Sequence, residues 1–137
     1  MKPLDHFLPF LLDNPLHQLM GVRSIHGADG RSSIEVEVGP DMVNAAGMFH
    51  GGIVYTLCDM ACYVALLGEL EEGENAATHD LHVSLMRAAQ IGDTVRFTGR
   101  ILRRGRSVAF LESEAHCGDQ LLARATVTKT VLRNRAA

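Results

Sequence analysis

The chain has 137 residues, a formal net charge of -3 and a pI near 6.1, and 47% of its residues are hydrophobic. This length fits one domain with a substantial buried core, so we expect a single domain over residues 1–137. The slightly acidic balance gives no general reason to bind nucleic acid or an anionic membrane, and it favours a small-molecule partner.

The cysteines and the first residues bear on the compartment. The chain has three cysteines, an odd count, and Cys58 and Cys62 lie in an apolar segment, so we expect reduced thiols without disulfides. The apolar start is interrupted by Asp5, His6 and Pro9, and no small-residue cleavage site follows it. We therefore predict no secretion signal and expect a cytoplasmic protein.

The N-terminal third predicts a helix and a β-hairpin. A short amphipathic helix is expected over residues 5–12, with Asp5 as its N-cap and Asn14-Pro15 as its stop. A strand of residues 16–26 and a turn of residues 27–30 follow it. The next strand, residues 32–38, alternates apolar and polar residues, which predicts a hairpin with one solvent-exposed face.

Residues 51–69 predict the central helix of the fold. The segment is apolar on every side except at Thr56 and Asp59, which is typical of a helix surrounded by protein. It is too short for a membrane span, which needs about 20 apolar residues. Gly51 and Gly52 leave bare amides at the helix N-terminus, where the helix dipole favours negative charge.

The second half of the chain predicts a meander of strands. They span residues 77–86, 94–103, 107–117 and 120–132, and the turns between them are short enough for antiparallel neighbours. The expected fold class is α+β, with one curved antiparallel sheet wrapped around one helix. A helix that is apolar on all sides needs further cover, and a second copy of the chain is the simplest source, so we expect at least a dimer.

Asn44, the tripeptide His50-Gly51-Gly52 and Asp59 form the pattern N-x5-H-G-G-x6-D, and an Ile-Gly-Asp turn follows later. In this pattern the chain resembles the PaaI-like hotdog-fold acyl-CoA thioesterases, over about four-fifths of its length. The resemblance implies a sheet around a long helix, and subunits that join edge to edge into a homodimer or homotetramer. It also implies hydrolysis of acyl-CoA thioesters.

The resemblance gives Gly51 and Asp59 central roles. The Gly51 amide would hold the thioester oxygen, whereas the alternative is that the glycines only allow close packing of helix and strand. Asp59 would be the general base on the attacking water or the direct nucleophile. The alternative for Asp59 is a buried carboxylate satisfied by Tyr55 or Tyr63, each one turn away.

Three further residues have weaker support as catalytic residues. Asn44 matches an asparagine that contacts the substrate carbonyl or the water, or else it satisfies loop backbone. Thr78 matches a hydroxyl residue that positions the water, although threonine is also common in strands. His50 has a suitable pKa range for a base, but a histidine that organises the loop and the helix start is the more common case, and we favour the carboxylate as the base.

Four arginines cluster at a predicted hairpin turn, namely Arg100, Arg103, Arg104 and Arg106. Guanidinium groups match phosphate oxygens, and coenzyme A carries a diphosphate and a 3′-phosphate, so Arg103, Arg104 and Arg106 are candidates for binding the nucleotide. A solvated strand end that resists aggregation is the alternative.

Our hypothesis is an acyl-CoA thioesterase in which Asp59 directs the attack and the Gly51 amide stabilises the oxyanion. The alternative is a non-catalytic acyl-CoA-binding or regulatory module that uses the same pocket. A hotdog dehydratase has a catalytic histidine with a proline-rich segment, which this chain lacks. The histidines and cysteines have no closed metal-ligand spacing and there is no nicotinamide motif, so we predict neither metal nor cofactor.

Overall fold

The computed structural model describes residues 1–133 as an antiparallel sheet around a central helix; residues 134–137 of the predicted domain lie outside the described part. In chain order the elements are α1 (Pro3–Asp13), α2 (Pro15–Leu19), β1 (Val22–Ala28), β2 (Arg31–Glu37), α3 (Gly51–Leu67), β3 (Glu74–Leu85), β4 (Thr94–Arg104), β5 (Val108–Cys117) and β6 (Gln120–Arg133). A short 3-10 turn, Pro40–Met42, precedes α3.

The six strands form one sheet in the order β1-β2-β4-β5-β6-β3, with every neighbouring pair antiparallel. The predicted α+β class and the antiparallel sheet wrapped around one helix are confirmed. The alternation predicted over residues 32–38 is also confirmed, because Ile34, Val36 and Val38 are at most 2% exposed. β3 is an edge strand, since only β6 pairs with it in the described residues.

The structure corrects the N-terminal prediction. Residues 16–26 are not one strand, because Pro15–Leu19 form α2 and β1 begins only at Val22. The Asn14 side chain accepts hydrogen bonds from the amides of Leu16 and His17, at 2.9 and 3.4 Å, and so caps a new helix whose first residue is a proline. The Asn14-Pro15 pair thus ends one helix and starts the next. Asp5 is not the cap of α1, which begins at Pro3 with Lys2 in the N-cap position.

The central helix packs against the sheet at very short range. The Ser32 hydroxyl of β2 donates a hydrogen bond of 2.5 Å to the Ala61 carbonyl of α3. A Cβ placed on Gly99 of β4 would lie 2.5 Å from that same carbonyl oxygen. Because both helix and strand are held by their neighbours, the sequence needs a residue without a side chain at this crossing.

Replacing Gly99 by alanine is expected to destabilise the fold by about 1–3 kcal/mol, because backbone must move to relieve the contact with Ala61. Chemical denaturation of the purified variant measures the change. Gly39→Ala is the matched control, since its Cβ would meet only the Met42 sulfur at an ordinary 3.7 Å. Equal stabilities of the two variants would contradict the packing account.

One face of α3 is left uncovered by the other residues that the structure describes. Gly52 and Tyr55 are exposed, and Asp59 and Tyr63 are half-exposed, so these four residues form a stripe along the helix. The stripe, which we call the open face, runs beside the edge strand β3. Tyr55 donates a hydrogen bond of 3.3 Å to the Val83 carbonyl of that strand, and Tyr63 donates one of 2.6 Å to Asn75.

Candidate active site

The N-terminus of α3 presents a free backbone donor. His50 is the N-cap, and its Nδ1 accepts a hydrogen bond of 3.0 Å from the Gly52 amide. The amide of Gly51 has no acceptor in the part of the chain that the structure describes. His50 is therefore the cap that organises the helix start, while the neighbouring Gly51 amide is available to a ligand.

Both glycines lie in close packing contacts, as the packing alternative predicts. A Cβ on Gly51 would lie 2.8 Å from the Leu85 Cδ1 of β3, and a Cβ on Gly52 would lie 3.1 Å from the His50 ring. The two glycines therefore allow the close approach of β3 and of the capping ring. The close approach involves the missing side chain of Gly51, whereas a ligand would bind its backbone amide. Gly51 can therefore serve both purposes.

A cleft of about 300 Å³ opens beside the Gly51 amide. Its walls are mostly apolar and include Phe49, Val54, Leu85, Met86, Ala89 and Leu122. Asn44 also lines this cleft. Arg87 is the charged residue of the lining. The size, the mostly apolar walls and the few polar groups are typical of a pocket for a small, largely apolar ligand group.

Asn44 combines a loop role with a free donor. Its side-chain oxygen accepts hydrogen bonds from the amides of Ala46 and Met48, at 3.0 and 3.1 Å, so the loop-backbone role predicted as the alternative is present. These two bonds fix the amide orientation. The Nδ2 group has no acceptor among residues 1–133, which leaves one oriented donor at the cleft.

Asp59 belongs to a hydrogen-bonded triad with residues of two strands. Its Oδ1 accepts hydrogen bonds from Thr78 Oγ1, at 2.7 Å, and from Lys129 Nζ, at 2.9 Å. A β-bulge between Thr78 and Asp80 interrupts the register of β3 at this point, and bulges of this kind re-aim side chains next to active sites. The Oδ2 atom of Asp59 has no partner in the described chain, so it is free to accept a proton.

The tyrosine alternative for Asp59 is wrong. The hydroxyls of Tyr55 and Tyr63 donate to Val83 and Asn75 instead, and neither contacts the carboxylate. Sequence reasoning also missed Lys129 entirely. The available signal was its position in β6, where Val127, Lys129 and Val131 occupy successive inward-facing positions and all three are at most 5% exposed.

The predicted site residues fall into two groups within one chain. Asn44 and Gly51 lie at the apolar cleft, and His50 caps the helix beside them. Asp59 and Thr78 lie together further along the open face. Gly51 and Asp59 are eight residues apart on α3, which corresponds to about 12 Å along the axis at 1.5 Å per residue.

The predicted arginine cluster divides into bound and free side chains. Arg100 pairs with Glu112, and Arg104 pairs with Glu74 at 3.8 Å and also donates to two carbonyls of its own turn. Arg103 and Arg106 have no side-chain partner among the residues described. Of the four arginines in this cluster, Arg103 and Arg106 therefore have guanidinium groups that are available to a phosphate.

The helix thiols are poor nucleophiles. Burial raises the pKa of Cys58 to about 11, and burial also raises the pKa of Cys62. Cys117 is a free, partly buried thiol.

Known proteins share this fold and much of this sequence. Residues 46–124, more than half of the chain, match the model of the thioesterase superfamily, and the chain belongs to that superfamily. Acyl-coenzyme A thioesterase 13 of Homo sapiens is 31% identical over 86 residues, which are 63% of this chain and 61% of that protein. The match thus spans less than two thirds of that relative's length.

Solved structures extend the likeness over most of the chain. A phenylacetic acid degradation-related protein of Ralstonia eutropha JMP134 is 26% identical with a TM-score of 0.82, covering 93% of this chain and 98% of that one. The protein smu.793 of Streptococcus mutans, solved with acetyl CoA, is 26% identical with a TM-score of 0.72, covering 85% and 90%. The hotdog fold and the resemblance to PaaI-like thioesterases are confirmed.

No helix among residues 1–133 is both long and apolar enough to cross a membrane.

Proposed function

We propose that the protein is a thioesterase that hydrolyses acyl-CoA to a free acid and coenzyme A. The observation that carries the proposal is the free amide of Gly51, which opens into an apolar cleft at a helix N-terminus. The cleft accommodates an acyl group, and the amide with the helix dipole behind it stabilises charge on the thioester oxygen. Membership of the superfamily and the acetyl CoA in the Streptococcus mutans relative support this substrate class.

In the proposed reaction a water oxygen attacks the thioester carbon while Asp59 takes the water proton on its free Oδ2. The carbonyl oxygen becomes an oxyanion that accepts a hydrogen bond from the Gly51 amide. The C–S bond then breaks, and the proton held by Asp59 leaves with the coenzyme A thiol. Direct attack by the Asp59 carboxylate, followed by hydrolysis of the acyl anhydride, is the other route.

The remaining predicted residues have supporting roles in this proposal. The free Nδ2 of Asn44 donates to the substrate carbonyl or to the water, and Thr78 orients the Asp59 carboxylate. His50 acts through the helix start, because its Nδ1 is already occupied by the Gly52 amide.

We also propose that each active site is shared between two subunits of a homodimer. The open face of α3 lies beside the edge of β3 that is unpaired among residues 1–133, so a second copy of the chain could cover both at once. A two-fold axis there brings Asp59 of one subunit towards Gly51 and Asn44 of the other. This arrangement closes the gap of about 12 Å that separates the two groups along one helix.

Free thiol release from a panel of aliphatic and aromatic acyl-CoAs tests the proposed function. A thiol-reactive dye is expected to show continuous release of coenzyme A thiol. A reaction without substrate gives the baseline, because Cys117 is a free, partly buried thiol that can itself react with the dye. Cys58 and Cys62 add little to that baseline because they are buried. Tight binding of acyl-CoA without thiol release by any substrate would contradict the thioesterase and support the non-catalytic binding module.

For the nucleotide end of the substrate we propose that Arg103 and Arg106 bind coenzyme A phosphates. Both lie at the β4–β5 turn with free guanidinium groups, whereas Arg104 is held by Glu74 and by turn carbonyls. Arg104 then shapes the turn that presents the other two.

The double variant Arg103→Ala/Arg106→Ala is expected to raise KM for acyl-CoA by about 10-fold or more while kcat changes little, because phosphate contacts are equal in ground and transition states. The loss should disappear for an N-acetylcysteamine thioester, which has no nucleotide. Arg23→Ala is the matched control, since Arg23 is exposed and pairs with Glu37 on β2. Equal losses on both substrates would show that the turn arginines are only structural.

A further inference from the structure

Lys129 is a charged residue in the interior of the protein. Its side chain is 2% exposed, and on β6 it stands directly opposite Thr78 of β3, between the inward-facing Val127 and Val131. An isolated buried ammonium is strongly unfavourable, so a lysine in this position requires partners that compensate its charge.

Those partners are the residues of the proposed catalytic site. Lys129 Nζ donates to Asp59 Oδ1 at 2.9 Å and to Thr78 Oγ1 at 2.5 Å, and Thr78 in turn donates to Asp59 Oδ1 at 2.7 Å. Because the threonine oxygen accepts from Lys129, its single proton is directed to Asp59. The ammonium also lies 5.4 Å from the centre of the Tyr63 ring.

Both donors converge on one oxygen of the carboxylate. Oδ1 accepts from both Lys129 and Thr78, which restrains the carboxylate, whereas Oδ2 has no partner among residues 1–133. The Asp59 side chain is 33% exposed, so the carboxylate is accessible to water. The buried lysine thus binds one oxygen of the carboxylate and leaves the other to the attacking water of the proposed reaction.

We propose that Lys129 is a positioning residue for thioester hydrolysis, which acts by holding the Asp59 carboxylate in the orientation that receives the water proton. This inference rests on the proposed function and adds to it a residue on a different strand. The competing account is an ion pair that serves folding alone, and buried ion pairs are often replaced by apolar residues without loss of stability. The two accounts differ in what happens to kcat.

Lys129→Met removes the charge and both donors but keeps the length of the side chain. We expect a fall in kcat of about 100-fold with KM nearly unchanged, because a misplaced base affects the chemical step and not the binding of acyl-CoA. Lys129→Arg, whose guanidinium also donates to two acceptors, is expected to recover part of the loss. Lys2→Met is the matched control, since Lys2 and Lys129 are the only lysines in the sequence.

The same substitution in an Asp59→Asn background separates positioning from general damage. If Lys129 acts through Asp59, adding Lys129→Met to Asp59→Asn causes no further loss of the residual activity. The double variant is also expected to have a higher Tm than Asp59→Asn alone, because no buried charge is then left without its counter-charge.

Three outcomes would overturn the inference. The first is a wild-type kcat in Lys129→Met. The second is an equal loss of kcat in Lys129→Arg and Lys129→Met. The third is a Lys129→Met substitution that lowers kcat by the same factor in Asp59→Asn as in the wild-type protein. If Lys129→Met does not fold, Lys129→Gln, which removes the charge but keeps an NH2 donor group on a shorter side chain, replaces it under the same criteria. A wild-type protein that releases no thiol would instead refute the proposed function itself, which is a separate and prior observation.

Discussion

Asp59→Asn is expected to lower kcat by about 10²–10⁴-fold, the usual contribution of a general base. Asparagine keeps the Oδ1 that accepts from Thr78 and Lys129, so the site keeps its shape, but it cannot take a proton from water. Binding of acyl-CoA, measured by calorimetry with a non-hydrolysable thioether analogue, should therefore survive. Steady-state release of free thiol gives kcat.

Asp119→Asn is the control for this substitution, because Asp119 is an exposed aspartate at the turn between β5 and β6. A fall in Tm is expected for Asp59→Asn, since the buried Lys129 loses its counter-charge. Retention of most of the turnover would exclude Asp59 as base or nucleophile and make His50 the next candidate.

Two inactive variants are expected to restore activity when they are combined in one dimer. Asn44→Asp keeps the oxygen that accepts from the loop amides but loses the free donor, and Asp59→Asn loses the base. If each site uses Asn44 of one subunit and Asp59 of the other, a mixed dimer has one doubly damaged site and one intact site. Random pairing of equal amounts then restores about a quarter of wild-type activity.

The two variants are unfolded together, refolded and compared with each variant refolded alone. Native mass spectrometry with a short tag on one variant measures the fraction of mixed dimers. Recovery should scale with that fraction. Mixed dimers without any activity would mean that each site lies within a single chain, and a monomeric protein would remove the basis for a shared site.

Much of the fold follows from local patterns in the sequence. The alternation of Ile34, Val36 and Val38 is strict, and these residues face the core as predicted. The prediction of one strand over residues 16–26 is wrong for a local reason. The Asn14-Pro15 pair is compatible both with the end of one helix and with the start of the next. The structure resolves this ambiguity through two hydrogen bonds to the Asn14 side chain.

The candidate site was less accessible to such reasoning. The HGG pattern and its spacing from Asp59 predict a site on α3, but the hydrogen-bond partners of Asp59 lie 19 and 70 residues away along the chain. Local spacing suggested Tyr55 and Tyr63 as partners of Asp59, because each lies about one helical turn from it. Their rings instead reach β3, because strand pairing places backbone and side-chain acceptors there.

The unequal exposure of the Asp59–Lys129 pair constrains the order in which the two positions can change during evolution. Loss of the lysine leaves a carboxylate that is 33% exposed and can be hydrated, whereas loss of the aspartate leaves an ammonium that is 2% exposed. Because the second intermediate is far less stable, lineages that abandon the pair are expected to replace Lys129 first. A descendant that keeps a lysine here without an acidic partner should be rare, since its ancestors would have had to pass through the unstable state.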